Sequence, residues 1–258
     1  MPEERHSVDS VAIGVDIGGS SIKVAAVDLT KGALASARLV APTPEVASPA
    51  AVGEIVHDLV NDASMPVDVP VGIGFPGVIK SGLICTATNL GETWVGIDIN
   101  NATGRAVGRP TAAVNDADAA GLAEMRFGAG RGVRGLVIMV TLGTGIGTGV
   151  FHDGRLVPNA ELGHIEVRGV DAETRAAASI RDSKKLSWVA WSRRVEEYLD
   201  ALDRLLWPDL VIIGGGVSAE PEKFLPLIKV RPQVVPAVMG NDAGIVGAAL
   251  WGFEGDEC

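Results

Sequence analysis

The stretch Val11-Ala-Ile-Gly-Val-Asp-Ile-Gly-Gly-Ser-Ser-Ile-Lys-Val24 decides how the chain is read. An apolar run ends in a carboxylate, Asp16. Two glycines, two hydroxyls and a lysine follow within one turn. The run before Asp16 predicts a buried strand over 11–17, and Ile22 onward predicts a second over 22–28. Thr30-Lys31-Gly32 reads as the turn into a third strand, 34–40. Gly18 and Gly19 allow a tight bend and let an anion approach bare amides. Ser20, Ser21 and Lys23 add donors, and Asp16 is suited to a hard metal ion or its water. An ordinary glycine-rich hairpin would look the same, so the segment alone does not choose between the two readings.

Two further glycine turns choose. Thr141-Leu-Gly-Thr-Gly-Ile-Gly-Thr-Gly149 follows the apolar run 136–140, and Gly214-Gly215-Gly216-Val217 follows the apolar run 210–213. In the first, Thr141, Gly143, Thr144 and Gly145 supply hydroxyls and exposed amides for an anion. Three strand-then-glycine units in one chain are hard to explain as chance.

The rest of the chain reads as alternating strands and helices, hence α/β. A helix is expected over 50–62, with Val52, Ile55, Val56 and Leu59 on one face. Strands are expected at 69–75, ending at Pro76-Gly77, and at 111–114. A helix follows over 117–127. Strands 136–141 and 147–152 form a hairpin, and a long helix covers 187–206 until Pro208 stops it. The tail from Gly240 is a small-residue helix suited to close packing. The expected division is a small lobe, 1–114, and a large lobe, 115–241, with the tail 242–258 packing back on the small lobe.

Composition bounds the function. With 258 residues the chain has room for one large domain or two modest lobes. A formal charge of −10 argues against nucleic acid or an anionic membrane as partner. Residues 1–10 are polar and lack the apolar core of a signal peptide, and no apolar run is long enough to span a bilayer. Cys85 and Cys258 are too distant in sequence to suggest a disulfide framework, which fits a cytoplasmic protein.

Two constellations bear on the chemistry. Asn115-Asp116 stands between a strand and a helix, where an aspartate is either a helix cap or an ionised base. Glu161-Leu-Gly-His164 places a carboxylate and an imidazole three residues apart, suited to hydrogen bonds with vicinal hydroxyls. The imidazole is also a metal ligand by type.

Together these motifs resemble the sugar kinases of the actin-like ATPase superfamily, and in detail the ROK family of bacterial repressors, open reading frames and kinases. The resemblance implies a two-lobed, ribonuclease H-like fold with mixed sheets flanked by helices. It implies that Asp116 is the catalytic base and that Asn115, Glu161, His164, Gly77 and Asn89 form the sugar site. It implies a donor site at Gly214, Gly215, Gly216 and Val217, phosphate loops at 16–23 and 141–145, and Mg2+ near Asp16. Many members bind zinc through the histidine and a downstream cysteine cluster; no cysteine lies between Cys85 and Cys258, so no zinc site is expected. The family's further sugar-binding glutamate lies after that cluster, leaving Glu166 and Glu173 as candidates.

Lys184-Lys185-Leu-Ser-Trp188, Trp191-Ser-Arg193-Arg194 and Leu206-Trp-Pro-Asp-Leu210 resemble a branch of the family that uses inorganic polyphosphate. Lys184, Lys185 and Arg193, with Arg126, Arg131 and Arg134, then form a polyanion track. The implied activity is phosphoryl transfer from polyphosphate, ATP being a second donor, to the 6-hydroxyl of glucose, by a homodimer. The alternatives are an ATP-dependent kinase of mannose, fructose or an N-acetylated amino sugar, and a non-catalytic sugar-sensing regulator.

Overall fold

The computed structural model describes residues 10–63, 66 and 68–255. Cys258 and most of the polar N-terminal segment lie outside the described residues. The chain divides into two compact units. One runs to Ala119 and resumes at Gly244; the other is Ala120–Ala243. The division falls inside a helix rather than at residue 114, because that helix begins on the first unit and continues into the second.

In the first unit the elements are β1 (Val11–Ile17), β2 (Ser21–Asp28), β3 (Ala33–Leu34), β4 (Leu39–Pro42), α1 (Pro49–Asp62), β5 (Val71–Phe75), β6 (Ile79–Lys80), β7 (Leu83–Ile84), α2 (Ile99–Val107), β8 (Thr111–Asn115) and the start of α3 (Asp116–Phe127). The main sheet has the order β3-β2-β1-β5-β8, with β4 also paired to β2. β1, β5 and β8 run parallel, and β2 is antiparallel to β1.

The third strand expected at 34–40 is instead two short strands. Val27 faces Leu34 but Val24 faces Leu39, so three steps along β2 span five along its partner. Ser36 explains the break: its hydroxyl accepts the Ala26 N–H at 3.0 Å, a ladder bond that a strand would otherwise take. Helix α1 begins where expected, because Ser48 accepts the Ala51 N–H at 3.2 Å and Pro49 occupies the first turn. Its Val52, Val56 and Val60 join Ile13, Val15, Ile73 and Trp94 in one apolar core.

The second unit continues α3 and holds β9 (Leu136–Leu142), β10 (Ile146–His152), β11 (Arg155–Val157), β12 (Glu166–Val167), β13 (Val170–Asp171), α4 (Glu173–Ala176), α5 (Ala178–Ser183), α6 (Trp188–Leu206), β14 (Leu210–Gly214) and β15 (Gln233–Pro236). Its main sheet has the order β11-β10-β9-β14-β15. β9, β14 and β15 are parallel. Ser187 caps α6, and Trp191, Val195, Tyr198, Leu199 and Leu202 form its buried face. The helix ends at Trp207, left-handed at φ 53°, one residue before Pro208.

The last helix, α7 (Ala243–Glu254), belongs to the first unit. Gly14 of β1 and Gly72 of β5 are paired neighbours in the sheet. A Cβ on Gly14 would collide with the Ile245 carbonyl, and one on Gly72 with the Ala248 carbonyl. The helix backbone therefore lies directly on the sheet, in a furrow that only glycine leaves open. Gly247 in turn abuts the Ala119 backbone.

Candidate active site

Both units place their glycine loops at the carboxyl ends of parallel strands, the edge where open α/β sheets bind ligands. In the first unit, β1 ends at Asp16-Ile17, β5 runs into Phe75-Pro76-Gly77, and β8 ends at Asn115. Asp16 pairs in register with Gly74, and Phe75 with Asn115. The sheet thus brings Asp16, Gly77, Asn115 and Asp116 to one edge.

Asp16 Oδ2 accepts from Lys23 Nζ at 2.8 Å, across the β1–β2 pair. Gly18 N–H donates to the Ser21 carbonyl at 2.9 Å, and Thr43 Oγ1 donates to the Gly18 carbonyl at 2.6 Å, which closes the loop on itself. A Cβ on Gly19 would sit 3.3 Å from that of Asn89, so the exposed Asn89 borders this loop.

Asn115 is the helix cap. Its Oδ1 accepts from the Ala117 N–H at 2.8 Å and the Asp118 N–H at 3.0 Å. Its Nδ2 donates to the Gly77 carbonyl at 3.2 Å, which ties the glycine turn to the start of α3. Asn115 is buried, whereas Asp116 is half-buried and accepts from the Ala117 N–H at 2.8 Å. Capping therefore falls to the asparagine, and the carboxylate of Asp116 is not needed for it.

In the second unit, Gly214 pairs in register with Thr141, so the 141–145 loop and the 214–217 turn emerge side by side from β9 and β14. Ser179, at the start of α5, grips the first loop: its N–H donates to the Gly143 carbonyl at 3.1 Å and its hydroxyl to the Thr144 carbonyl at 2.6 Å. Lys184, five residues on, is displaced by about 8 Å along the axis at 1.5 Å per residue. Lys184, Lys185 and Arg193 are exposed and form no ion pair among the described residues.

The turn bearing Glu161 and His164 packs on the same hairpin. A Cβ on Gly163 would strike the Ile146 carbonyl. Thr148 Oγ1 donates to the Ala160 carbonyl and accepts from the Leu162 N–H at 3.0 Å. Glu161 and His164 approach to 3.9 Å. Partial burial pushes the Glu161 carboxyl up, His164 opposes this and Glu173 adds to it.

Of the two candidate glutamates, Glu173 is the one brought to this cluster. Its Oε2 accepts from the Ile146 N–H at 3.3 Å, against Gly145, while Glu166 is exposed in β12. Asp171 was not singled out in the sequence, yet its Oδ2 lies 2.9 Å from His164 Nδ1. The signal for it was the Arg168-Gly169 pair, a two-residue hairpin turn that returns the chain to His164. His164, Asp171 and Glu173 each place one ligand-type atom within 4.8 Å of the others. The His164–Asp171 contact has hydrogen-bond length and uses the Nδ1 position.

The comparisons with known proteins decide the family. The model of the ROK family matches residues 12–179. The chain belongs to the ROK family. It is 44% identical over 248 residues to the polyphosphate glucokinase of Mycobacterium tuberculosis (strain CDC 1551 / Oshkosh), covering 96% of this chain and 91% of that protein. The inorganic polyphosphate/ATP-glucomannokinase of Arthrobacter sp. strain KM superposes with a TM-score of 0.89 at 46% identity, over 93% of this chain and 97% of that one. The ROK family glucokinase of Streptomyces griseus, solved with glucose and AMPPNP, superposes with a TM-score of 0.81 at 27% identity, over 95% of this chain and 100% of that one. The fold of this ROK chain is accordingly the actin-like ATPase fold of the family's sugar kinases. No described helix is long and apolar enough to cross a membrane.

Proposed function

We infer that this chain is a glucokinase that transfers a phosphoryl group from inorganic polyphosphate, and from ATP, to the 6-hydroxyl of glucose. The 44% identity to a polyphosphate glucokinase across nearly the whole chain carries this reading. The glycine loops at the strand ends of both units are the physical counterpart of that similarity.

Asp116 is the general base. The sugar 6-oxygen forms a bond to the terminal phosphorus, the bond from that phosphorus to the rest of the donor breaks, and the hydroxyl proton passes to Asp116. Glu161, His164 and Glu173 hold the sugar hydroxyls. Asn115 fixes the Gly77 turn and the helix start, and the second N–H of its amide is a donor to the sugar. Asn89 borders the Gly18–Ser21 loop and belongs to the same site. The loops at 16–23, 141–145 and 214–217 bind the donor through backbone amides, hydroxyls and Lys23.

Asp16 suits a magnesium ion. It is a hard oxygen donor at the edge of the loop, and its Oδ1 accepts no hydrogen bond among the described residues. When bound, Mg2+ would neutralise charge on the phosphates. The enzyme is read as cytoplasmic and homodimeric, on the low cysteine count and the family resemblance. Mannose is a second acceptor, favoured by the similarity to a glucomannokinase.

A coupled assay crossing polyphosphate, ATP and GTP with glucose, mannose, fructose and N-acetylated amino sugars tests the reading. Glucose turnover with polyphosphate supports it; no turnover with polyphosphate on any sugar would overturn it.

Two variants test the sugar site. H164A and E161Q are each expected to raise the glucose KM by about tenfold, the value of one hydrogen bond to a charged group. Because burial raises the Glu161 carboxyl, wild-type affinity should begin to fall on acidification above the ordinary glutamate range. E161Q should lack that limb. Calorimetric titration with glucose separates these effects from turnover.

The donor track has its own test. A polyphosphate chain carries about one charge per phosphate and meets several basic groups at once. Replacing Lys184, Lys185 and Arg193 by Ala should raise the KM for long polyphosphate more than that for ATP. The wild-type polyphosphate KM should rise more steeply with salt. Equal losses for both donors would remove these three residues from the polyphosphate site.

A further inference from the structure

We propose that Asp171 is a positioning residue of the sugar site, holding the His164 ring with its proton on Nδ1 and its Nε2 presented to a sugar hydroxyl. The proposal rests on the reading of His164 as a sugar ligand. Asp171 reaches His164 through a hairpin built for the purpose. β12 and β13 pair Glu166 with Asp171, and Arg168 (φ 57°) and Gly169 (φ 78°) form the turn. The Ala172 N–H then donates to the Ile165 carbonyl at 3.0 Å, locking residue 171 beside residue 164.

The carboxylate is held from its other side as well. Asp171 Oδ1 accepts the Glu173 N–H at 3.2 Å, and Thr174 Oγ1 donates to the Asp171 carbonyl at 2.7 Å. The hairpin turn is anchored to α6 by Glu197, which pairs with Arg168 at 2.6 Å and Arg175 at 2.7 Å. A half-exposed imidazole has two tautomers and free rotation about its side-chain bonds. One fixed carboxylate at Nδ1 removes both freedoms and leaves Nε2 as the atom that faces outward, toward Glu161 at 3.9 Å.

Three carboxylates face the ring: Asp171, Glu173 and Glu161. The hydrogen bond that His164 Nδ1–H donates to Asp171 is the largest influence raising the His164 pKa, with partial burial opposing it. Removing the Asp171 charge should therefore lower the pH at which His164 titrates.

The experiment combines kinetics with histidine NMR on D171N, H164A and the double variant. The isosteric D171N keeps the shape of the hairpin, and thermal melts check that each variant folds. In 15N-histidine-labelled protein, with H164A assigning the signal, wild-type His164 should show the Nδ1-protonated tautomer. D171N should lose that pattern and titrate at lower pH. Its glucose KM should rise by about tenfold, a charged hydrogen bond's worth, with kcat held within about threefold. In the H164A background D171N should add nothing, because its effect passes through the ring.

A raised KM in H164A with an unchanged one in D171N would overturn the positioning role alone. So would losses that add fully in the double variant, which would mark Asp171 as merely structural. An unchanged glucose KM in H164A would overturn the sugar-ligand reading and the proposal with it.

Discussion

Asp116→Asn is expected to lower turnover by about 10²–10⁴-fold while leaving glucose affinity and the fold intact, that range being the usual contribution of a general base. Asparagine has the shape of aspartate and keeps an oxygen for the Ala117 N–H, which Asp116 Oδ1 accepts at 2.8 Å. The helix start does not depend on the lost charge, because Asn115 supplies the cap through two amide bonds. The loss of a carboxylate from the first helical turn costs at most about 1 kcal/mol through the helix dipole. Steady-state kinetics with glucose and polyphosphate measure the effect, and glucose calorimetry with a thermal melt supplies the controls. Turnover within a factor of a few of wild type would remove Asp116 from the proton transfer.

Gly72→Ala is expected to destabilise the protein by about 3 kcal/mol or more, at the upper end of overpacking effects. The added methyl would run into the Ala248 carbonyl and the Gly252 N–H, both parts of the α7 backbone. Backbone has no alternative rotamer, so the helix must lift or the strand must bend. Gly14, its neighbour across the β1–β5 pair, faces Ile245 in the same way. Urea unfolding of G72A against wild type measures the loss. An unchanged midpoint would mean that α7 is not seated on the sheet as described.

Much of this was legible because the relevant signals are local. The strands expected at 11–17, 69–75 and 136–141 and the apolar run 210–213 correspond to the strands Val11–Ile17, Val71–Phe75, Leu136–Leu142 and Leu210–Gly214, each running into a glycine turn. Ser48-Pro49 and Ser187 mark helix starts by side-chain chemistry that needs no distant partner. The pairing of Asn115 with Gly77, by contrast, joins residues 38 apart, and only the β5–β8 register brings them together. The split of the third strand was hidden because Ser36 looks like any exposed strand serine until its hydroxyl meets the Ala26 amide.

Glu124 shows the same limit. Nothing in the α3 sequence marks it out, yet it is buried and accepts the N–H groups of Ala129, Val238 and Met239 at 2.8 Å each. Asp171 was missed for a related reason. A carboxylate after a hairpin turn is commonplace, and its role follows from which side chain the turn returns it to.

The seating of α7 bears on how the protein is made. The first sheet is encoded within residues 11–115, but the helix that covers Gly14 and Gly72 is translated only after the second unit. At about 5–20 residues per second on the ribosome, the apolar furrow stays uncovered for roughly 6–25 s while the second unit is synthesised. During that interval the nascent chain presents an open, aliphatic sheet face to the cell. A chain cut short before Gly244 would leave the furrow over Gly14 and Gly72 uncovered.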